Sequence, residues 1–90
     1  MSEPYRVDFS CAGRRSLHSI PPRIVPAIIE FVYGDLARNP HRVGRPLERE
    51  LTGLHGARRG PYRVLYEIHD DQRLVMVVKV GYRADIYHSG

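Results

Sequence analysis

Tryptophan is absent, and cysteine and lysine each occur once, in a chain of 90 residues. A lone Cys11 excludes an internal disulfide and leaves a thiolate zinc cluster without ligands, which favours a reducing compartment. No apolar run approaches the ~18 residues that a bilayer-spanning helix needs. The opening "MSEPYRVDFS" lacks the basic start and apolar middle of a signal peptide. The expectation is a cytoplasmic protein that does not enter the membrane. With 42% hydrophobic residues, six Tyr and two Phe, there is material for one core and none to spare for a second. Residues 1–90 are therefore expected to form a single domain of modest stability.

Charge is plentiful and one-sided. Fourteen basic against ten acidic side chains give +4, and all but Lys79 of the basic ones are arginine. Arginine keeps its proton at any physiological pH and offers a planar fork that matches phosphate, whereas lysine is a compact point charge. Between positions 38 and 63 lie Arg38, Arg42, Arg45, Arg49, Arg58, Arg59 and Arg63 against Glu48 and Glu50, a local excess of +5. Such a segment is either a solvated loop or a surface for a polyanion.

Periodicity divides the chain in two. "YRVDF" alternates as a short strand, and "AGRRSLHSI" reads as a brief helix. Pro21 and Pro22 then introduce a second helix whose apolar residues, Ile24, Ile28, Phe31, Val32 and Leu36, recur at spacings of three and four. "ARNPHRVGRPL" ends it in a basic loop. Thereafter the period is two: "LHGARR" is a strand, "PYRVLYEIH" and "RLVMVVKVG" are stronger ones joined at "DDQ", and "ADIY" is expected as a last short strand. The fold class is α+β: an N-terminal strand and two helices packed on one face of a mostly antiparallel sheet of four to five strands.

Alternation assigns faces. Tyr62, Val64, Tyr66 and Ile68 form the core side of their strand, and Arg63, Leu65 and Glu67 the other. A guanidinium there either pairs with Glu67 as a surface ion pair or belongs to an anion site. If "YRADIY" is extended, Arg83, Asp85 and Tyr87 also share a face. Two arginines and a phenol on one sheet face, beside a basic loop, outline a phosphodiester site with a plate for a stacked base.

The segments "RRSLHSIPPRIVPAIIEFVYGDL", "NPHRVGRPLERELTG", "RRGPYRVLYEI" and "VGYRADIY", in this order and over nearly the whole chain, resemble the RelE-type toxins of the RelE/ParE toxin–antitoxin superfamily. The most specific parts are Gly60, Tyr62, Arg63 and Tyr66, and Val80, Gly81, Arg83 and Tyr87; the Arg-rich middle is similar to actinobacterial members. The resemblance implies a ribosome-dependent mRNA endoribonuclease that uses no metal and no cofactor. The ribose 2′-oxygen attacks the adjacent phosphate and leaves a 2′,3′-cyclic phosphate. It also implies a RelB-like antitoxin as partner, in a heterotetramer of two toxins and two antitoxins, with ribosome and mRNA as targets. By the same resemblance Arg63 stabilises the phosphorane, Arg83 lies nearest the leaving oxygen, and Tyr87 stacks on or orients the base. Arg45, Arg58 and Arg59 are expected to hold phosphate.

One departure concerns the base. Family members carry lysines in the strand before the Gly-x-Tyr-Arg turn, and "LHGARR" has none. Arg58 and Arg59 keep their protons too firmly to act as bases. His55, with an ordinary pKa near ~6.5, is the candidate in that strand, and His88 a second one. Two other readings stand beside the nuclease: a ParE-like toxin that binds DNA gyrase without cutting RNA, and a non-catalytic RNA-binding module.

Overall fold

The computed structural model describes residues 3–86. Its elements are β1 (Arg6–Phe9), α1 (Cys11–Ser16), α2 (Val25–Phe31), α3 (Pro40–Val43), β2 (Arg45–Pro46), β3 (His55–Arg59), β4 (Tyr62–His69) and β5 (Leu74–Tyr82). The sheet runs β1-β5-β4-β3-β2, with β1 parallel to β5 and the other pairs antiparallel. The expected α+β class and mostly antiparallel five-stranded sheet are what the chain adopts.

Each helix is short and held by local chemistry. Ser10 caps α1 by accepting from the Gly13 amide at 3.0 Å, and a 3₁₀ turn at Leu17–Ser19 continues it. Pro26 sits in the first turn of α2, where its missing N–H is unneeded, so the helix starts at Val25 rather than bending there. The helical path then loosens into a π-type segment, Val32–Leu36. Ile28, Val32 and Leu36 are fully buried on it and pack with Val64, Tyr66, Val75, Val77 and Val80 of the sheet. Inside this core Tyr66 finds a partner for its hydroxyl, which donates to the Pro40 carbonyl at 2.6 Å and ties β4 to α3.

Two details position the functional surface. Where β1 ends, α1 takes its place along β5. The Ser10 amide donates to the Val77 carbonyl at 3.0 Å, and Ser16 Oγ accepts from the Val80 amide at 2.9 Å. A side chain at Gly13 would collide with the Val77 carbonyl, so only glycine lets the helix come this close. The second detail is a bulge in β5. Tyr66 faces Val77 but Leu65 faces Lys79, so Val78 is the extra residue and the register moves by one. Arg63 consequently lies opposite Gly81, and Tyr62 opposite Tyr82.

The expected last strand does not form. Residues Arg83–Ile86 are a turn, in which the amides of Asp85 and Ile86 both donate to the Tyr82 carbonyl, at 2.9 and 3.0 Å. Burial of Ile86 explains the reversal: the side chain is 2% exposed, and a Cβ on Gly81 would come within 2.9 Å of its Cδ1. The basic loop is also more ordered than expected, since it contains α3 and β2.

Candidate nucleic-acid interface

The helices cover one face of the sheet; the other carries charge. In β4 the alternation holds as expected: Tyr62, Val64, Tyr66 and Ile68 belong to the core, which puts Arg63, Leu65 and Glu67 on the opposite face, where Leu65 is itself buried. Arg58 of β3 is directly opposite Arg63, and directly opposed residues of an antiparallel pair share a face. Arg45 of β2 is opposite Gly56, which shares that face too. Arg45, Arg58 and Arg63 thus come from three adjacent strands to line one groove of about 410 Å³, walled by Val43 and Leu47 and floored by Gly56.

No carboxylate neutralises this groove among the described residues. Glu67, the partner that would have made Arg63 an ordinary surface ion pair, binds His69 Nε2 at 2.9 Å instead. The nearest acceptors of Arg63 are the Gly60 and Tyr62 carbonyls, at 3.4 and 3.3 Å, the outer limit of a hydrogen bond. Like charges placed directly opposite one another destabilise a sheet pair, and an anion between Arg58 and Arg63 would remove that cost. With Gly56 below, a phosphate can approach the backbone without meeting a side chain. The groove is chemically suited to a phosphodiester: its lining holds three planar donors and two apolar side chains, with no carboxylate among the described residues that line it.

The other expected site residues are distributed unequally. Arg83 is exposed in the turn after β5, and its amide donates to the Pro61 carbonyl at 2.8 Å, which brings it to the same end of the β4–β5 pair as Arg63. Its position in a turn, not a strand, removes the alternation argument that grouped it with Asp85 and Tyr87. Tyr87 and His88 lie outside the described residues. Arg59 shares a face with Ala57, which is buried in the core. It therefore belongs to the helix side, where it lines a separate groove with Glu30, Asp35 and Arg38. Alternation along β3 could have separated it from Arg58; reading the two arginines as one unit hid this.

His55 is also on the helix side. It faces Tyr66 across the strands, its ring stacked on that tyrosine at 5.7 Å and edge-on to His41 at 5.7 Å, and its Nδ1 is buried without a partner. Burial, aided by the neighbouring His41, pushes its pKa below the ordinary imidazole value. His41 in turn binds Asp70, at 2.8 Å, which also accepts from the Tyr5 hydroxyl at 2.5 Å. These hydrogen bonds hold the Asp70 carboxyl below its usual range. The sheet separates this cluster from the arginine groove, so His55 cannot take a proton from anything bound there.

Residues 15–87 match the family described as the ParE toxin of type II toxin–antitoxin systems, parDE. Over 84 residues the chain is 55% identical to Toxin RelG of Mycobacterium tuberculosis, covering 93% of this chain and 97% of that protein. Toxin RelE of the same organism is 44% identical over 84 residues, covering 93% and 87%. The fold matches a chain in the crystal structure of the toxin–antitoxin complex RelBE2 from that organism with a TM-score of 0.85 at 52% identity. That match covers 90% of this chain and 100% of the other.

Proposed function

The chain belongs to the ParE toxin family of type II toxin–antitoxin systems and is a RelE-type toxin, and from that premise we propose that it cuts mRNA on the ribosome. The observation that carries this reading is the groove of Arg45, Arg58 and Arg63, three cations on one face with no carboxylate partner. The ribose 2′-oxygen attacks the adjacent phosphorus, the bond to the 5′-oxygen breaks, and a 2′,3′-cyclic phosphate and a 5′-hydroxyl result. Charge accumulates on the phosphorane oxygens as this happens. Arg63, with Arg58 opposite it, stabilises that charge through fixed donors, which need no reorganisation at the moment of reaction. Arg45 holds a neighbouring phosphate and sets the register of the strand.

In this mechanism Arg83, at the same end of the β4–β5 pair as Arg63, serves the leaving 5′-oxygen. A guanidinium keeps its own proton, so it steadies the departing charge while solvent delivers the proton. Tyr87 is assigned to base stacking. Because His55 lies on the other face of the sheet, the mechanism passes the 2′-hydroxyl proton to hydroxide or water, with His88 as the remaining imidazole candidate. The catalytic advantage is electrostatic, not acid–base.

The partner is a RelB-like antitoxin, by analogy with the relatives' complexes, in a heterotetramer of two toxins and two antitoxins. An acidic, partly disordered segment suits a +4 chain. The match to the ParE toxin family keeps a second reading beside the nuclease, a ParE-like toxin that binds DNA gyrase without cutting RNA. Relatives named RelE and RelG and the unneutralised groove support the nuclease. Primer extension on mRNA from a translating extract, with and without the purified toxin, separates the two. Cuts within codons that appear only during translation support the nuclease; intact mRNA with inhibited DNA supercoiling supports the gyrase reading.

A further inference from the structure

At the Pro61–Arg83 end of the β4–β5 pair, two neighbouring cavities border residues that the mechanism above does not use. The first, about 360 Å³, is lined by Tyr62, Tyr82 and Asp85, with Ile20 and Pro21 behind them. The second, about 500 Å³, is lined by Ala12, Arg15 and Val78. Ser16, Ser19 and Lys79 line both, so the two share a wall.

We propose that this end of the sheet is a nucleotide-binding subsite for the RNA strand, with a base on the Tyr62–Tyr82 pair and its phosphate between Arg15 and Lys79. The two tyrosine rings stand edge to face with centroids 5.8 Å apart, and Tyr82 is 44% exposed, so one ring supports the other while a face stays open to a base. Arg15 and the chain's only lysine supply two cations, and the ion pairs among the described residues involve neither. Lys79 lies opposite Leu65, on the Arg63 face of β5, so the subsite wraps the β5 edge beside α1. Ser16 is committed to the fold through Gly13 and Val80, whereas Ser19 is exposed and can donate to a phosphate oxygen. Asp85 lines the cavity of the aromatic pair, where a carboxylate accepts from a base amino group, and is absent from the lining of the Arg15 cavity, where it would repel phosphate.

Connectivity places the subsite on the path of the same strand. Tyr62 and Arg63 are adjacent and face opposite sides of β4. RNA held at Arg63 therefore reaches Tyr62 and Tyr82 by passing round the Pro61–Arg83 end of the pair. The bulge at Val78 is what makes this possible: without its one-residue shift Tyr62 would face Gly81, and no aromatic pair would form.

The identity of the strand rests on the reading of the chain as an RNA-cutting toxin, but binding is measured here without cleavage. The probe is a fluorescein-labelled 2′-O-methyl cytidine hexamer, which has no 2′-hydroxyl to react. Anisotropy is followed with the parent chain and with Tyr82→Ala, Tyr82→Phe, Lys79→Gln and Tyr33→Ala. Removing one stacked base typically costs about 5- to 150-fold in affinity, and that loss is expected for Tyr82→Ala. Tyr82→Phe, which keeps the ring, and Tyr33→Ala, an exposed tyrosine on the helix side, are expected to bind as the parent does. Lys79→Gln is expected to reduce the slope of log affinity against log salt by about 0.7. Equal binding by Tyr82→Ala and the parent overturns the proposal, as does an equal loss in Tyr33→Ala. Cytidine 5′-monophosphate serves as the second probe. If it shifts the amide resonances of Tyr82 and Lys79 and the hexamer does not, the site takes free nucleotides and the assignment to RNA is wrong. These outcomes are independent of whether mRNA is cut, because a gyrase-binding toxin would show no Tyr82-dependent RNA binding and a nuclease lacking this subsite would still cleave.

Discussion

Alkaline unfolding should be governed by one side chain. Tyr66 is fully buried between β4 and α3, and burial raises its phenol to about 12 from an ordinary 10.0. In the unfolded chain the phenol regains its ordinary value. Between those two values the unfolded state has lost the proton that the folded state keeps, so stability falls as pH rises through that window. Two pKa units at 1.36 kcal/mol each come to about 2.7 kcal/mol, the most that this one group can withdraw. Urea melts at intervals from pH 8 to 11 measure it. The parent should lose about 1 kcal/mol or more by pH 11, and Tyr66→Phe should show a correspondingly flatter profile. The variant starts lower at pH 8, by about 1–3 kcal/mol, because the Pro40 carbonyl loses its donor. A Tyr66→Phe profile as steep as the parent's would refute the assignment of the alkaline limit to this residue.

Other expectations concern the edge of the sheet and the reaction. Ser16→Ala leaves the Val80 amide without its acceptor, at a cost of about 1–3 kcal/mol, or roughly 5–20 °C in melting temperature for a domain of this size. Hydrogen exchange at the Val80 amide should rise together with it, and an unchanged exchange rate would argue against the contact. Cleavage under single-turnover conditions should rise about tenfold per pH unit from pH 5.5 to 8, because no imidazole among the described residues lines the groove. A plateau near the ordinary histidine pKa would show that a protein base acts after all.

Much of the fold was legible because most of the hydrophobic pattern is regular. The three-and-four spacing from Ile24 to Leu36 announces the second helix, and the alternation of Tyr62, Val64, Tyr66 and Ile68 with Arg63 and Glu67 assigns the faces of β4, although Leu65 is buried among them. The Arg63 question was posed correctly by that alternation but not decided by it: Glu67 was available as a partner, and only the geometry gives that carboxylate to His69. What alternation could not deliver lies in β5. "LVMVVKV" is apolar at nearly every position, so the extra residue at Val78 leaves no mark, and without it the opposing pairs Arg63–Gly81 and Tyr62–Tyr82 cannot be counted from the hairpin. The C-terminal turn was missed for a different reason. "ADIY" has strand-forming residues, but burial of Ile86 against Gly81 outweighs that local preference. His55 was misplaced because a histidine in a short strand does not declare its face, whereas its neighbour Ala57, small and buried, does.

The groove itself joins segments distant in sequence. Arg45 follows a four-residue helix inside what reads as loop, and its pairing with Gly56 is set by a two-residue strand too short to carry a pattern. Arginines 45, 58 and 63 were all marked as candidates on charge, yet Arg59, marked equally, went to the other side of the sheet. Charge counts locate a segment; the pleat decides which members of it meet a ligand.

The role of Arg63 is tested most directly by the single-turnover rate of mRNA cleavage in programmed ribosomes by the parent toxin and by Arg63→Ala. Loss of one fixed donor to a developing oxyanion costs about 100- to 1000-fold, and that reduction is expected with the melting temperature and antitoxin binding unchanged. A folded Arg63→Ala toxin that cuts as fast as the parent would contradict the assignment of the groove.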